Sequence, residues 1–446
     1  MHHFLFLLLC LFFNVLSADS MVIELATDDP RTPVYLASFS HDYKNFQADY
    51  VRQLEHILCY DLSHNGSSVC SVGNKQFDTL ITQKRYQDKS FANNGIMCCI
   101  QASIADKKLS IILASTNDNW TKALEGVSLK GNIDEDRRQI HLIADAIHNS
   151  LFDSPGIAST KLLYTLRSPA DKPNTWNSEV WECDYDGANA RQITLDAGYC
   201  ISPTYVPPKE GKTSSAFLYV SYANGQPKLF LAPLKDFKPQ RLSLLRGNQL
   251  MPAVSRQRNK IAFISDATGN PDLFIQDFST EKGPIDKPYQ AFSSHKATQG
   301  SPAFSPDGRK VAFVSNKDGN PRIYILDISQ VSPGKPVKNV KLISRTSREN
   351  SAPAWSPDGT KIAYCALSDG VRQIWIYEVD EEKETQITNG SIHKENPSWA
   401  PNSRALVYNS NTNEGGELFL LDLAMPIPTQ IPVGKGQKRF PSWEPR

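Results

Sequence analysis

"SPAFSPDGRKVAFVSNKDGNPRIYILD", residues 301–327, sets three apolar runs around two Asp-Gly turns. Ser305-Pro306-Asp307-Gly308 reads either as a reactive cluster or as a hinge between strands, and recurrence decides between them. Triplets of the form Pro-x-aromatic or Pro-x-apolar begin at Pro203, Pro252, Pro302, Pro353, Pro397 and Pro441, spaced by 49, 50, 51, 44 and 44 residues. A second apolar run recurs six times, as "LLYTL" at 162, "FLYVS" at 217, "IAFIS" at 261, "VAFVS" at 311, "IAYCA" at 362 and "LVYNS" at 406. A third run follows each, from "VWECDYD" at 180 to "LFLLDL" at 418.

These runs are β-branched and aromatic and end in turn residues, which predicts strands. They are apolar at nearly every position, so both sheet faces must be covered. Repeating units of this length, covered on both sides, are the blades of a six-bladed β-propeller. "SPDG" at 305 and 356 becomes "SRQRN" at 255 and "APNS" at 400, always between the first two strands of a unit. Ser-Pro-Asp-Gly suits a type I turn, so Asp307 and Asp358 are expected to shape turns rather than to react. The first unit begins with its second strand near Lys161, whereas "FPSWEP" at 440–445 is a first strand that arrives alone. The two ends of the repeat region are therefore expected to build one blade jointly and to leave no sheet edge.

Residues 21–156 lack the repeat. "MVIELA" and "PVYLASF" read as strands, and Phe46, Tyr50, Val51, Leu54, Ile57 and Leu58 fall at helical spacing before an Asn-Gly stop. "IMCCIQASIADKKLSIILAST" reads as a hairpin turning at 105–107. A second helix is expected beyond Asn132, with acids in its first turn and an end at Pro155-Gly156. The expected fold is mainly β, a six-bladed β-propeller preceded by a small α/β domain. Its segments are a signal peptide over 1–18, the α/β domain over 19–156 and the propeller over 157–446.

The signal peptide rests on the apolar run from Phe4 to Phe13 with small residues at Ser17, Ala18 and Ser20. That run falls short of the ~20 residues a membrane span needs. "LLLC" around Cys10 lacks the small residues of a lipidation box. Export makes disulfides possible. Seven cysteines remain after Cys10, and Cys59 with Cys70 and Cys183 with Cys200 are candidate pairs. No Cys-x-x-Cys occurs, and His64 between Cys59 and Cys70 matches no zinc spacing.

Formal net charge is +1, from 48 basic against 47 acidic side chains, which gives no field to draw the chain to nucleic acid. An enzyme of the propeller-peptidase kind needs a G-x-S-x-G elbow, which is absent, as is H-E-x-x-H. Only Glu444, Pro445 and Arg446 follow the last triplet, so no hydrolase domain is expected to follow. His141 lies on an amphipathic helix and is expected to have a structural or solvent-facing role rather than a catalytic one. The other readings are an exported ligand-sensing propeller and a peptidase-associated one.

A binding module fits best, because a closed propeller is a rigid frame that varies in its loops. The loops that enter the first strands gather at one channel mouth. They carry eight basic residues, at 246, 296, 345, 348, 394, 435, 438 and 439, against acids at 196, 349 and 395.

"RRQIHLIADAIHNSLFDSPGIASTKLLYTL" at 137–166, "PAFSPDGRKVAF" and "PAWSPDGTKIAY" resemble the TolB family, the periplasmic components of the Tol-Pal system, as does the order of domains. The resemblance implies a periplasmic, non-enzymatic monomer without cofactor, metal or membrane span, which supports outer-membrane integrity and division. It implies that the lipoprotein Pal binds the propeller mouth, where Thr298, Ser301 and Ser351 fall at the family's contact positions. Together with the charged loops, the candidate Pal site is Arg246, His295, Thr298, Gln299, Ser301, Arg348, Glu349, Ser351, His393, Lys394, Lys438 and Arg439. By the same resemblance, Met21, Val22, Ile23, Glu24 and Leu25 form the strand that engages TolA.

Overall fold

Every proline of the six triplets sits in a bulge of its strand. The computed structural model describes residues 31–41, 46–170, 175–195, 198–337, 339–412, 415–425 and 427–446. The register shifts between Ile201 and Thr204, Leu250 and Ala253, Gly300 and Ala303, Ser351 and Ala354, Glu395 and Ser398, and Arg439 and Ser442. Residues just before the prolines, Ser202, Met251, Ser301, Ala352, Asn396 and Phe440, all have φ between 44° and 55°. A bulge takes the proline nitrogen, which has no hydrogen to donate, out of the ladder. The left-handed residue beside it costs about 1–2 kcal/mol when it carries a Cβ.

The bulged strands, Cys200–Tyr205, Gln249–Val254, Gln299–Phe304, Asn350–Trp355, His393–Trp399 and Gln437–Trp443, touch one another in turn around the centre. Each opens one of six antiparallel sheets. Side chains next to the prolines stitch neighbouring blades. Thr204 Oγ1 donates to the Pro252 carbonyl at 3.2 Å, and Ser398 and Ser442 accept from the Trp443 and Tyr205 amides at 3.0 and 3.3 Å. Apolar faces of successive blades meet in clusters such as Ile264, Phe292, Phe313 and Tyr324.

The ring closes as expected. Gln437–Trp443 pairs with Lys161–Pro169, which continues to Trp176–Asp184 and Arg191–Gln192 in the same sheet.

The quoted tetrapeptide is a turn. The Gly308 amide donates to the Ser305 carbonyl at 2.8 Å, with Gly308 at φ 69°. Asp307 Oδ1 accepts from Ser305 Oγ and the Arg309 amide at 2.5 and 3.0 Å, and these hydrogen bonds hold its carboxyl below the usual range. Asp358 repeats the pattern with Ser356 and Thr360.

Before the propeller, strands β1 (Thr32–Leu36), β2 (Ser40–His41), β3 (Ser68–Ser71), β4 (Cys98–Ala105), β5 (Lys108–Ser115) and β6 (Thr121–Ser128) form one sheet, with β2 on β4 and the rest ordered β3-β1-β4-β5-β6. Helices α1 (Ala48–Ser63) and α4 (Ile133–Phe152) pack together in one apolar cluster with the sheet. Helices α2 (Lys75–Thr82) and α3 (Lys89–Asn93) contribute Phe77, Leu80, Ile81 and Phe91 to another cluster on Tyr35, Cys99 and Ala114. Both expected helices and the hairpin are present, and Asn132 caps α4 by accepting from the Asp134 amide at 3.0 Å. Neither β3, α2 and α3, which are short, nor β6, whose residues are mostly exposed, is among the elements expected from the sequence.

Cys98 and Cys99 point to opposite faces of β4, one into each cluster. Cys183 and Cys200 are both buried and fall in different clusters. The expected signal peptide and the strand Met21–Leu25 lie outside the described residues.

Candidate partner-binding mouth

Each first strand starts at one face of the ring and runs to its turn at the other, so the entering loops and the Ser-Pro-Asp-Gly turns occupy opposite faces. The turn face carries the N-terminal domain. Asn402, which stands where two other blades have Asp307 and Asp358, accepts from the Arg404 amide at 3.0 Å and so keeps the turn. Its amide also donates to the Asn65 carbonyl at 2.9 Å, which an aspartate could not do. Gly66 packs so close to this turn that a Cβ would stand 2.8 Å from Arg404 Cβ. His64 Nε2 reaches Thr429 Oγ1 at 3.2 Å. Apolar contact is continuous here, since Leu58, Ile140, Tyr164, Tyr185, Ala400 and Trp443 belong to one buried cluster.

His141 is buried within this interface. Its Nδ1 lies 2.7 Å from Asp61 Oδ2, and Asp61 Oδ1 accepts the Tyr185 hydroxyl at 2.7 Å. Ligand atoms of His141, Asp184 and Asp186 lie within 4.8 Å of one another, a cation-sized grouping. Both carboxylates already face cationic side chains, Asp184 with Lys161 Nζ at 2.5 Å and Asp186 with Arg137. We read the group as an ion-pair network that joins the domains.

On the mouth face, Arg246, His295, Lys296, Thr298, Arg345, Arg348 and Glu349 are exposed. Ser301 and Ser351 flank the bulges and are half-buried, and the Ser301 amide donates to Met251 Sδ at 3.1 Å. Three members of the expected site are engaged within the protein itself. Lys438 is 0% exposed, and its Nζ bonds Glu417 at 2.9 Å and the Gly434 carbonyl. Lys394 spends its three protons on Gln373, the Asn389 carbonyl and the Ile392 carbonyl at 3.1, 2.7 and 3.1 Å, and burial pulls its pKa down. Gln299 is buried, with its amide assigned as a donor to Asp272 Oδ1 at 2.8 Å. His393 and Arg439 are half-buried, His393 accepting from the Arg372 amide at 3.0 Å and Arg439 donating to Asn411 Oδ1 at 3.1 Å.

Charge alone missed an apolar sector of the mouth. Leu195 and Leu244 are 71% and 87% exposed in the loops that enter Cys200–Tyr205 and Gln249–Val254. Their signal lies in the repeat: Ile193-Thr194-Leu195 and Leu242-Ser243-Leu244 match Ile343-Ser344-Arg345, so the third position points outward in each. With six blades, the Leu195 loop stands diametrically opposite the Arg345 and Arg348 loop.

A closed six-bladed propeller with an α/β domain on its turn face defines a class of repeat scaffolds. A profile for the TolB beta propeller domain matches residues 148–446. A protein TolB homolog of Protochlamydia amoebophila is 51% identical over 392 residues, covering 86% of this chain and 83% of its own. The protein TolB homolog of Chlamydia trachomatis serovar D is 34% identical over 390 residues, covering 87% of this chain and 83% of its own. The crystal structure of TolB from Acinetobacter baumannii superposes with a TM-score of 0.74 at 22% identity, over 94% of this chain and 98% of that one, a likeness of fold. This chain belongs to the TolB family. Among the described residues no helix is long and apolar enough to cross a membrane.

Proposed function

We propose that this chain is a non-enzymatic periplasmic scaffold of the Tol-Pal system, which as a monomer holds the lipoprotein Pal on the propeller mouth and TolA on Met21–Leu25. In that role it supports outer-membrane integrity and cell division. One observation carries the reading: the N-terminal domain takes the turn face of the ring, while the opposite mouth presents exposed Arg246, Lys296, Arg345 and Arg348 together with Leu195 and Leu244. Basic groups there steer an acidic partner, and the leucines and half-buried Ser301 supply close contact.

The test is stopped-flow binding of purified Pal to the full chain across a salt series. Arg348→Glu is expected to slow association and flatten its salt dependence, and Ser301→Trp to speed dissociation. Arg309→Glu and Lys361→Glu, in the turns of the other face, are expected to change neither. Equal losses from both faces, or none from the mouth, would place Pal elsewhere.

A further inference from the structure

We infer that Cys59 and Cys70 form a reversible disulfide that closes the loop by which the N-terminal domain docks on the propeller. Cys59 lies on α1 and Cys70 on β3, both half-buried against the same apolar cluster. α1 packs directly on β3. The Cys70 amide donates to Ser63 Oγ at 3.4 Å, and Ser63 is one turn along α1 from Cys59 on the same face. Both thiols are reduced in the structure. Between them in the chain lie Asp61, His64, Asn65, Gly66 and Ser67, which contact Tyr185, Thr429, Asn402 and Arg404 of the propeller. A covalent ring through 59 and 70 would therefore fix the loop that positions one domain on the other.

The remaining chemistry favours this pair. Cys98, Cys99, Cys183 and Cys365 are buried, and burial pushes the Cys98, Cys99 and Cys365 thiols up to about 12. The Cys59 thiol is held below its usual value by the hydrogen bond from Cys70, and that bond together with burial pushes the Cys70 thiol up, so Cys59 is the first nucleophile and Cys70 ionises only once Cys59 is tied up in the mixed disulfide. With oxidised glutathione as oxidant, the Cys59 thiolate attacks the glutathione disulfide and releases one glutathione as thiolate. The Cys70 thiolate then attacks the Cys59 sulfur of the mixed disulfide and expels the second. Two electrons pass to glutathione, and the two cysteine protons end on its two thiols.

This inference is independent of the proposed partners. The full chain is incubated with oxidised glutathione at about pH 8, near the ordinary thiol range, then alkylated, digested and mapped by mass spectrometry. The expected product is a peptide pair linked through Cys59 and Cys70, with hydrogen exchange over residues 63–68 slowed several-fold relative to the reduced chain. Cys59→Ser and Cys70→Ser should each abolish both effects, and Cys183→Ser neither. Should either serine variant fail to fold, the wild-type map alone decides. Alkylation of both Cys59 and Cys70 after oxidation, a mixed disulfide that never resolves, or linkage to any other cysteine would overturn the inference.

Discussion

Tyr185, at the end of a propeller strand, donates its hydroxyl to Asp61 of α1 at 2.7 Å, so a buried carboxylate bridges the two domains. The other oxygen of Asp61 faces His141 at 2.7 Å, with Asp184 and Asp186 close behind the ring. Asp61→Ala takes the acceptor from the buried Tyr185 hydroxyl and from His141 Nδ1, leaving His141 only Asp186 at 3.7 Å, and is expected to cost about 3 kcal/mol. Urea denaturation reads it directly, and an unchanged midpoint would exclude a structural role for the bridge.

The same group makes the domain contact sensitive to alkali. Burial alone lowers the His141 pKa, but the charge and hydrogen bond of Asp61, with Asp186 and Asp184, outweigh it and raise the imidazole above its usual 6.5. A raised folded-state pKa contributes stability that is complete below about 6.5 and lost as pH rises through the folded value. Melting temperature should therefore fall across that window, and His141→Gln should flatten the fall. A variant with the wild-type slope would show that another group titrates there.

Trp443 holds the ring closed. Its indole nitrogen donates to Thr160 Oγ1 at 2.8 Å, and its side chain is buried in the cluster shared by both domains. Trp443→Ala is expected to cost about 3–5 kcal/mol. Removing residues 437–446 should expose the edge of Lys161–Pro169 and cause aggregation. Full solubility with an unchanged melting curve in the deletion would contradict closure by this strand.

Two basic residues of the mouth loops should behave in opposite ways. Arg348→Glu changes an exposed side chain, so it should alter partner association and leave the melting curve where it was. Lys438→Ala empties a buried position and takes the partner from Glu417, which is itself 39% exposed, so the fold is expected to lose about 1.5–3 kcal/mol. Thermal melts of the two variants, side by side, separate a surface charge from a structural one.

Deleting residues 19–26 should abolish capture of TolA by the purified chain while circular dichroism and Pal binding stay unchanged. Capture that survives the deletion would move the TolA contact out of Met21–Leu25.

The propeller was legible because its information is local and repeated. The Pro-x-aromatic triplet, its turn and its two following strands recur, and a lone final triplet already announced how the ring closes. The exposed mouth residues Arg246 and Arg348 were legible because they sit well out in loops between strands, where most side chains face water. The sequence by itself therefore determined the blades, their number, the turns and the family of the fold.

Tertiary structure decided what depends on residues far apart in the chain. Lys438 reads as one more loop cation until Glu417, from the hairpin of the preceding blade, is seen to take its charge out of the water. Asn402 reads as a relaxed copy of the turn aspartate until Asn65, 337 residues away, is found to need a donor. Local pattern predicts which backbone a segment adopts, because that is set by its own torsions and apolar spacing. The state of a charged or polar side chain is set by the groups that surround it, and here packing one domain on another, and one blade on the next, brings those groups together.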